Sequence, residues 1–178
     1  ASIYIYVADA SAVSVDSAGR LYVSDSCLHS NTVLRAIYDR GTVYATGGSR
    51  ITLKTSEVFA YGKSGAFQGP QAVYALGAGS LINLTDCYVF GNTNAARGLY
   101  TQAGGKIVAS ECNVHTYRTG GGAAVATSGN DGGTITLRGG QVWSHGAAGS
   151  AAFYSTGVIN ATSVMAGADL AEGACVDG

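Results

Sequence analysis

A degenerate repeat spans nearly the whole chain and limits its fold more than any other feature. Aligned on a recurring apolar lead residue, six units stand in line: AVSVDSAGRLYVSDSCLHS, TVYATGGSRITLKTSEVFAYG, AVYALGAGSLINLTDCYVFG, LYTQAGGKIVASECNVHTY, AVATSGNDGGTITLRGGQVWSHG and AFYSTGVINATSVMAGA. The lead residues are Val13, Val43, Val73, Leu99, Val125 and Phe153, at intervals of 30, 30, 26, 26 and 28. A period of this length marks a stacked architecture, in which one unit cannot bury its own apolar face and needs a neighbour above or below.

Within a unit, apolar residues alternate with small or polar ones: Val73, Ile82, Leu84, Cys87 and Val89 in the third, Leu99, Ile107, Ala109, Cys112 and Val114 in the fourth. Alternation by two places successive side chains on opposite faces of a strand. The runs are short, rich in Val, Ile, Thr and Tyr, and separated by Gly-rich breaks. No run of ten residues carries a helical period. Three short strands and three turns per unit describe one coil of a parallel β-helix. The spacing predicts a single all-β domain over residues 1–178, with about six coils of 23 to 31 residues. Residues 1–10 form an N-terminal strand that caps the stack or pairs with a neighbour, 11–174 the coils, and 175–178 the start of a further coil.

Composition fits a narrow stacked core. The chain has 27 Gly and a single Pro, as expected where turns need positive φ and strands must keep their amide donors. Charged residues make up 12% and the net charge is −1, which gives no argument for nucleic acid or an anionic membrane as partner, and neither is expected. No 18-residue apolar run spans a membrane. The four cysteines include no Cys-x-x-Cys pair, so zinc is not expected, and no cofactor motif is present.

The segment Leu99-Tyr100-Thr101-Gln102-Ala103-Gly104-Gly105-Lys106-Ile107, with its continuation to Cys112 and Val114, resembles the right-handed parallel β-helix repeats of the pectate-lyase-like superfamily. It is most similar to the repetitive secreted and cell-surface members. The resemblance covers roughly residues 10 to 178 and implies a right-handed coil; it does not imply an activity, since fold does not carry function.

Register turns the linear sequence into surface columns. One, following the lead residue, reads Ser14, Tyr44, Tyr74, Tyr100, Ala126, Tyr154 and is expected to face outward. A second reads His29, Phe59, Phe90, His115, Trp143, and two positions on stand Asn31, Tyr61, Asn92, Tyr117 and His145. Such columns stack on themselves, dock a second rod, or bind surface glycans. Cys87 and Cys112 share a column on successive coils, within reach of a disulfide or as reduced members of an inward ladder of small residues. Asp25, Asp86 and Glu111 share a turn column; Asp86 and Glu111 read either as a solvated turn or as a weak calcium or carboxylate pair. Asn83 and Asn160 begin glycosylation sequons and are expected to point outward. Arg35, Asp39, Arg40, Arg50, Lys54, Glu57 and Lys63 concentrate in the first two coils, which carry the loops Ser30 to Arg40 and Gly62 to Gln71.

An open solenoid exposes unpaired backbone at both ends. Either the chain is a piece of a longer β-helix or its ends complete each other between molecules; in the second case the alternating Ile3, Ile5 and Val7 at one end, and Cys175 and Val176 at the other, are the expected assembly elements. The expectation is a non-enzymatic extracellular rod, a fibre subunit or adhesin module forming homo-oligomers or filaments head to tail. The competing reading is a polysaccharide lyase or hydrolase, or a glycan-binding module. A compact cluster of carboxylates and cations, which such an enzyme needs, is missing, and no catalytic residue is assigned.

Overall fold

The computed structural model describes residues 3–8, 10–32, 41–62, 71–92, 97–118, 122–128, 132–146, 150–169 and 174–177. Among them every regular element is a strand, and every pairing is parallel. Sheet A has seven strands: β1 (Tyr4–Ala8), β4 (Cys27–Thr32), β7 (Glu57–Gly62), β10 (Tyr88–Asn92), β13 (Asn113–Arg118), β16 (Gln141–Gly146) and β19 (Met165–Ala168). Sheet B has seven: β2 (Val13–Val15), β5 (Gly41–Ala45), β8 (Gln71–Leu76), β11 (Leu99–Gln102), β14 (Gly122–Ser128), β17 (Ser150–Tyr154) and β20 (Ala174–Asp177). Sheet C has six: β3 (Arg20–Ser24), β6 (Arg50–Lys54), β9 (Leu81–Thr85), β12 (Lys106–Ser110), β15 (Thr134–Arg138) and β18 (Val158–Thr162). The chain visits A, B and C in turn and pairs each strand with the one three elements on. This is a parallel β-solenoid.

Register follows the repeat. Val13, Val43, Val73, Leu99, Val125 and Phe153 lie opposite one another from rung to rung, and Val176 continues the column on β20. In sheet A the inward column is Leu28, Val58, Val89, Val114, Val142. In sheet C, Ile51, Ile82, Ile107 and Ile135 are fully buried, flanked by Leu53, Leu84, Ala109 and Leu137. Branched side chains repeat because a one-residue slip would turn a whole strand's apolar set to solvent. Some polar groups within this core are paired: Ser30 Oγ lies 2.5 Å from Thr42 Oγ1, and Thr42 donates to the Phe59 carbonyl, whereas the buried Thr101 Oγ1 has no hydrogen-bond partner among the described residues.

The corner between sheets C and A has a fixed device. Asp25, Thr55, Asp86, Glu111 and Ser163 adopt φ of 48° to 55°, and Gly139 completes the column at 66°. Each left-handed residue turns the chain sharply, and the amide of all but Ser163 is seen to bond the carbonyl one rung up, as Asp86 N does to Ser110 O at 3.0 Å. Immediately after it comes an inward small residue whose side chain returns to the carbonyl two positions back: Ser26 to Ser24, Ser56 to Lys54, Cys87 to Thr85, Cys112 to Ser110.

The N-terminal strand β1 is the first rung of sheet A, in register with β4 from Tyr4 opposite Cys27 to Ala8 opposite Asn31. It therefore pairs within its own chain, and its outer edge has no strand partner among the described residues. Its inward Ile5 and Val7 are only half-buried, and Ile3 before it is exposed. Strand β20 likewise joins β17, placing the backbone of Cys175 and Val176 at the other end.

Candidate binding face on sheet A

The outer face of sheet A gathers the chemically distinctive side chains of the chain. Alternation along each strand brings three columns to it: Tyr4, Cys27, Glu57, Tyr88, Asn113, Gln141, Met165; Tyr6, His29, Phe59, Phe90, His115, Trp143, Gly167; and Ala8, Asn31, Tyr61, Asn92, Tyr117, His145. The middle column contains four residues read from the sequence as a candidate binding stripe: Phe59, Phe90, His115 and Trp143. All four are half-buried; Phe59, Phe90 and His115 meet rings of adjacent rungs, and Trp143 meets His145 of its own strand and lies against Gly167 of the next.

The rings form a continuous chain. His29 meets Tyr6 and Tyr61 edge-on, with centroids 4.7 Å away in each case. Phe59 contacts Tyr61, Tyr88 and Phe90 at 6.2, 5.9 and 6.2 Å. Tyr88 passes the chain to His115 at 5.7 Å, and Tyr117 and Trp143 flank His145 at 5.8 and 6.2 Å. Aromatic pairs in such offset or tilted arrangements each contribute about 0.5–1.5 kcal/mol beyond their buried area. Desolvation among them lowers the pKa of His29 and raises that of Tyr88, the latter aided by Tyr61 and Glu57.

At its upper end the ladder becomes polar. Trp143 Nε1 donates to Asp169 Oδ1 at 2.5 Å, and His145 Nδ1 lies 2.7 Å from Asp169 Oδ2. His145 Nε2 lies 3.0 Å from His115 Nδ1, and His115 Nε2 lies 3.3 Å from Gln141 Nε2. Asp169 is held below its ordinary carboxylate range by the indole bond first and the imidazole bond second. His115 is lowered by burial and by the neighbouring His145, against a smaller opposing pull from Asp169. Sequence reading found the His115 and His145 columns but missed Asp169, Gln141 and Tyr88. Counting one rung further would have found Asp169, which stands two residues after Gly167 as His145 stands two after Trp143.

The tyrosine column requires a correction. Tyr44, Tyr74 and Tyr100 do face away from the main core, but they are only 8%, 3% and 8% exposed. Sheet B is buried on both faces there, as the unbroken burial of β5 records. The three rings stack at 5.3 and 4.9 Å, Tyr74 OH donates to Gln102 Oε1 at 2.7 Å, and the Arg97 guanidinium sits 4.3 Å above Tyr100. With Ala123, Ala126 and Ala151 they make a second small core. Only Tyr154 is exposed, at 39%. This column is packing, not a binding stripe.

The cysteine pair stacks as expected on adjacent rungs but is not bridged: Cys87 and Cys112 are buried free thiols, and Cys27 is also free. Each Sγ points to a main-chain carbonyl of its own turn, continuing the Ser26–Ser56 column. Hydrogen bonding between the two thiols lowers the pKa of Cys87 and raises that of Cys112.

Asp86 and Glu111 occupy adjacent rungs of the left-handed turn column, where Asp is favoured for its tolerance of positive φ. The Glu111 carboxylate lies over Gly139, where a Cβ would collide with it, and so turns towards the rung opposite Asp86. No group of three or more His, Cys, Asp or Glu that could hold a metal gathers among the described residues. The calcium reading is therefore replaced by a backbone one.

Asn83 and Asn160 stand in one outward column of sheet C, with Asn160 exposed and Asn83 half-buried. Of the basic and acidic residues in the first coils, Arg50, Lys54 and Glu57 are exposed on strands, while Arg35, Asp39, Arg40 and Lys63 lie outside the described residues, as do residues 33–40 and 63–70 of the two long loops. No family model, curated protein or solved structure matches the chain.

Proposed function

We propose that this protein is a non-enzymatic extracellular rod, a fibre subunit or adhesin-like module of the pectate-lyase-like β-helix type, extended end to end through its open coils. One observation carries the reading. The inward isoleucine column of sheet C, fully buried at Ile51, Ile82, Ile107 and Ile135, ends in Leu21, which faces inward yet is 38% exposed. At the opposite limit that column ends in half-buried Ile159, and the flanking column through Leu53, Leu84, Ala109 and Leu137 ends in exposed Ala161.

The remaining exposed large apolar side chains follow the same pattern. Apart from Tyr117 and Tyr154, they lie in or beside the outermost strands: Ile3, Tyr4, Tyr6, Tyr22, Val158 and Met165. A monomer avoids contiguous apolar surface, and unpaired parallel edges template another strand. A second copy laid head to tail supplies both a partner for the edges and a cover for the core. Such a heterologous contact does not close and generates filaments. The outward sequons at Asn83 and Asn160 agree with a secreted rod.

The test is the assembly state by light scattering after size exclusion, with negative-stain microscopy, over a range of concentrations. Concentration-dependent oligomers or fibres are expected, and Leu21→Glu should abolish them by placing a charge in the contact. A monodisperse monomer at every concentration overturns the reading. Incubation with pectin and alginate checks the enzymatic alternative: calcium-dependent release of unsaturated uronides would replace the rod with a lyase.

A further inference from the structure

The polar end of the sheet A ladder has a direction that follows from donor and acceptor chemistry. Indole can only donate and an ionised carboxylate can only accept. Asp169 thus accepts from Trp143 on Oδ1 and from His145 Nδ1–H on Oδ2. With its proton on Nδ1, neutral His145 has a lone pair on Nε2. His115 Nδ1, 3.0 Å away, must be the donor to it. That leaves a lone pair on His115 Nε2, which accepts from the Gln141 amide. Every link from Gln141 to Asp169 is fixed.

The imidazole–imidazole link is head-on. The two ring planes are 15° apart, and the 5.3 Å between centroids is the 3.0 Å N···N distance plus one ring radius at each end. The N···N line therefore runs through both ring centres, in the plane of both rings. This suits a shared proton; a metal bound by both nitrogens would need lone pairs converging off that line.

We propose that this chain is a proton-operated clasp that holds the end of β19 onto β16 and β13 and releases it in acid. A first added proton costs no bond. It enters at His115 Nε2, Gln141 turns its Oε1 to accept that new N–H, and the His115 Nδ1 proton passes to His145 Nε2, making an imidazolium paired with Asp169. A second proton leaves both rings with N–H groups facing each other and two adjacent positive charges, so the link breaks.

The groups around the pair do not offset this. Among the described residues, the phenols Tyr88 on β10 and Tyr117 on β13 and the uncharged Met165 and Gly167 of β19 lie around the pair, and Asp169 is the one carboxylate in contact. The lowered value of Asp169 keeps it ionised while the imidazoles charge, and burial and the neighbouring His145 oppose a charge on His115. The unfolded ring binds its proton first, so the clasp's contribution is complete above the ordinary imidazole pKa and is lost as pH falls towards that of His115.

Hydrogen exchange on the full chain tests this. The Met165 and Asp169 amides bond the carbonyls of Gly140 and Ser144. After correction for intrinsic rate, their protection should fall about ten- to a hundred-fold between neutral pH and pH about 5, the equivalent of one charge-assisted hydrogen bond. Amides of β9 should not change. His145→Phe keeps a ring beside Tyr117 and should give low protection at both pH values. Equal protection of the wild-type amides at both pH values overturns the clasp, as does an equal pH response in His145→Phe. Imidazole nitrogen spectra of the wild type should find both rings as Nδ1–H tautomers at neutral pH; an Nε2–H tautomer at His115 overturns it without any variant.

Discussion

Replacing Tyr74 by Ala separates a buried tyrosine stack from an exposed one. The side chain is 3% exposed, sits between Tyr44 and Tyr100 at 5.3 and 4.9 Å, and donates to Gln102 at 2.7 Å. Truncating a buried aromatic to Ala costs about 3–5 kcal/mol. The lost hydrogen bond adds about 1 kcal/mol. Tyr154→Ala serves as the internal reference: the same residue type in the same column, 39% exposed, for which about 1 kcal/mol is expected. Tyr74→Phe keeps the ring and should cost about 1 kcal/mol, isolating the hydroxyl.

Urea unfolding followed by far-ultraviolet circular dichroism reads the difference. With a slope of about 2 kcal/mol per molar, Tyr74→Ala should lower the midpoint by about 2–3 M and Tyr154→Ala by about 0.5 M. Stacked repeats can lose cooperativity, so the slopes must agree among variants before midpoints are converted to free energies. If Tyr74→Ala costs no more than Tyr154→Ala, the second core does not exist and the column faces solvent as its sequence suggests.

Thr55 is β-branched at a φ of 48°, in a column otherwise filled by Asp, Glu, Ser and Gly; Thr55→Asn should raise stability by about 0.5–1 kcal/mol, measured by the urea midpoint. Cys87→Ser restores the residue found one rung below, with its hydroxyl placed to donate to the Thr85 carbonyl as Ser56 donates to Lys54. It should change stability by less than about 1 kcal/mol, and reductant should leave the wild-type midpoint unmoved. A Cβ at Gly167 would stand 2.6 Å from the Trp143 ring. Gly167→Ala should therefore displace the indole from Asp169, destabilise by about 1–3 kcal/mol, and shift the fluorescence of the chain's single tryptophan.

The inward columns were legible because burial on a pleated strand imposes a period of two, and the solenoid imposes a second period on top of it. The position of Val176 opposite Phe153 follows from those two rules alone. What lies over an outward face does not follow from them. Ser14, Tyr44 and Tyr154 share one column, yet Tyr44 is buried and the others are exposed. Alternation reports which way a side chain points, not whether anything covers it. The acidic turn column reads from the sequence as a turn, with a ligand pair as the weaker alternative; what the sequence does not display is the feature its residues share, the left-handed backbone that Asp, Glu, Thr, Ser and Gly all adopt.

The flank and the ends of this rod therefore present different chemistry. Along the middle of sheet A, from Phe59 to Phe90, each ring meets its neighbours at 5.9–6.3 Å, so little ring face is left for a ligand to stack upon. Towards the ends that mutual cover runs out. Tyr4 and Tyr6 are 66% and 51% exposed on β1, and Met165 is 64% exposed on β19. The same rungs leave the inward columns half-covered, so apolar surface on the outer face and apolar surface of the core become available together. A partner that adds one more rung satisfies the unpaired backbone edge, the open core column and the last aromatic ring in a single contact. A ligand lying along the flank satisfies none of the three. That asymmetry favours the proposed extension of the stack over binding along its side, and the His115–His145–Asp169 chain lies next to the end on which that proposal places the contact.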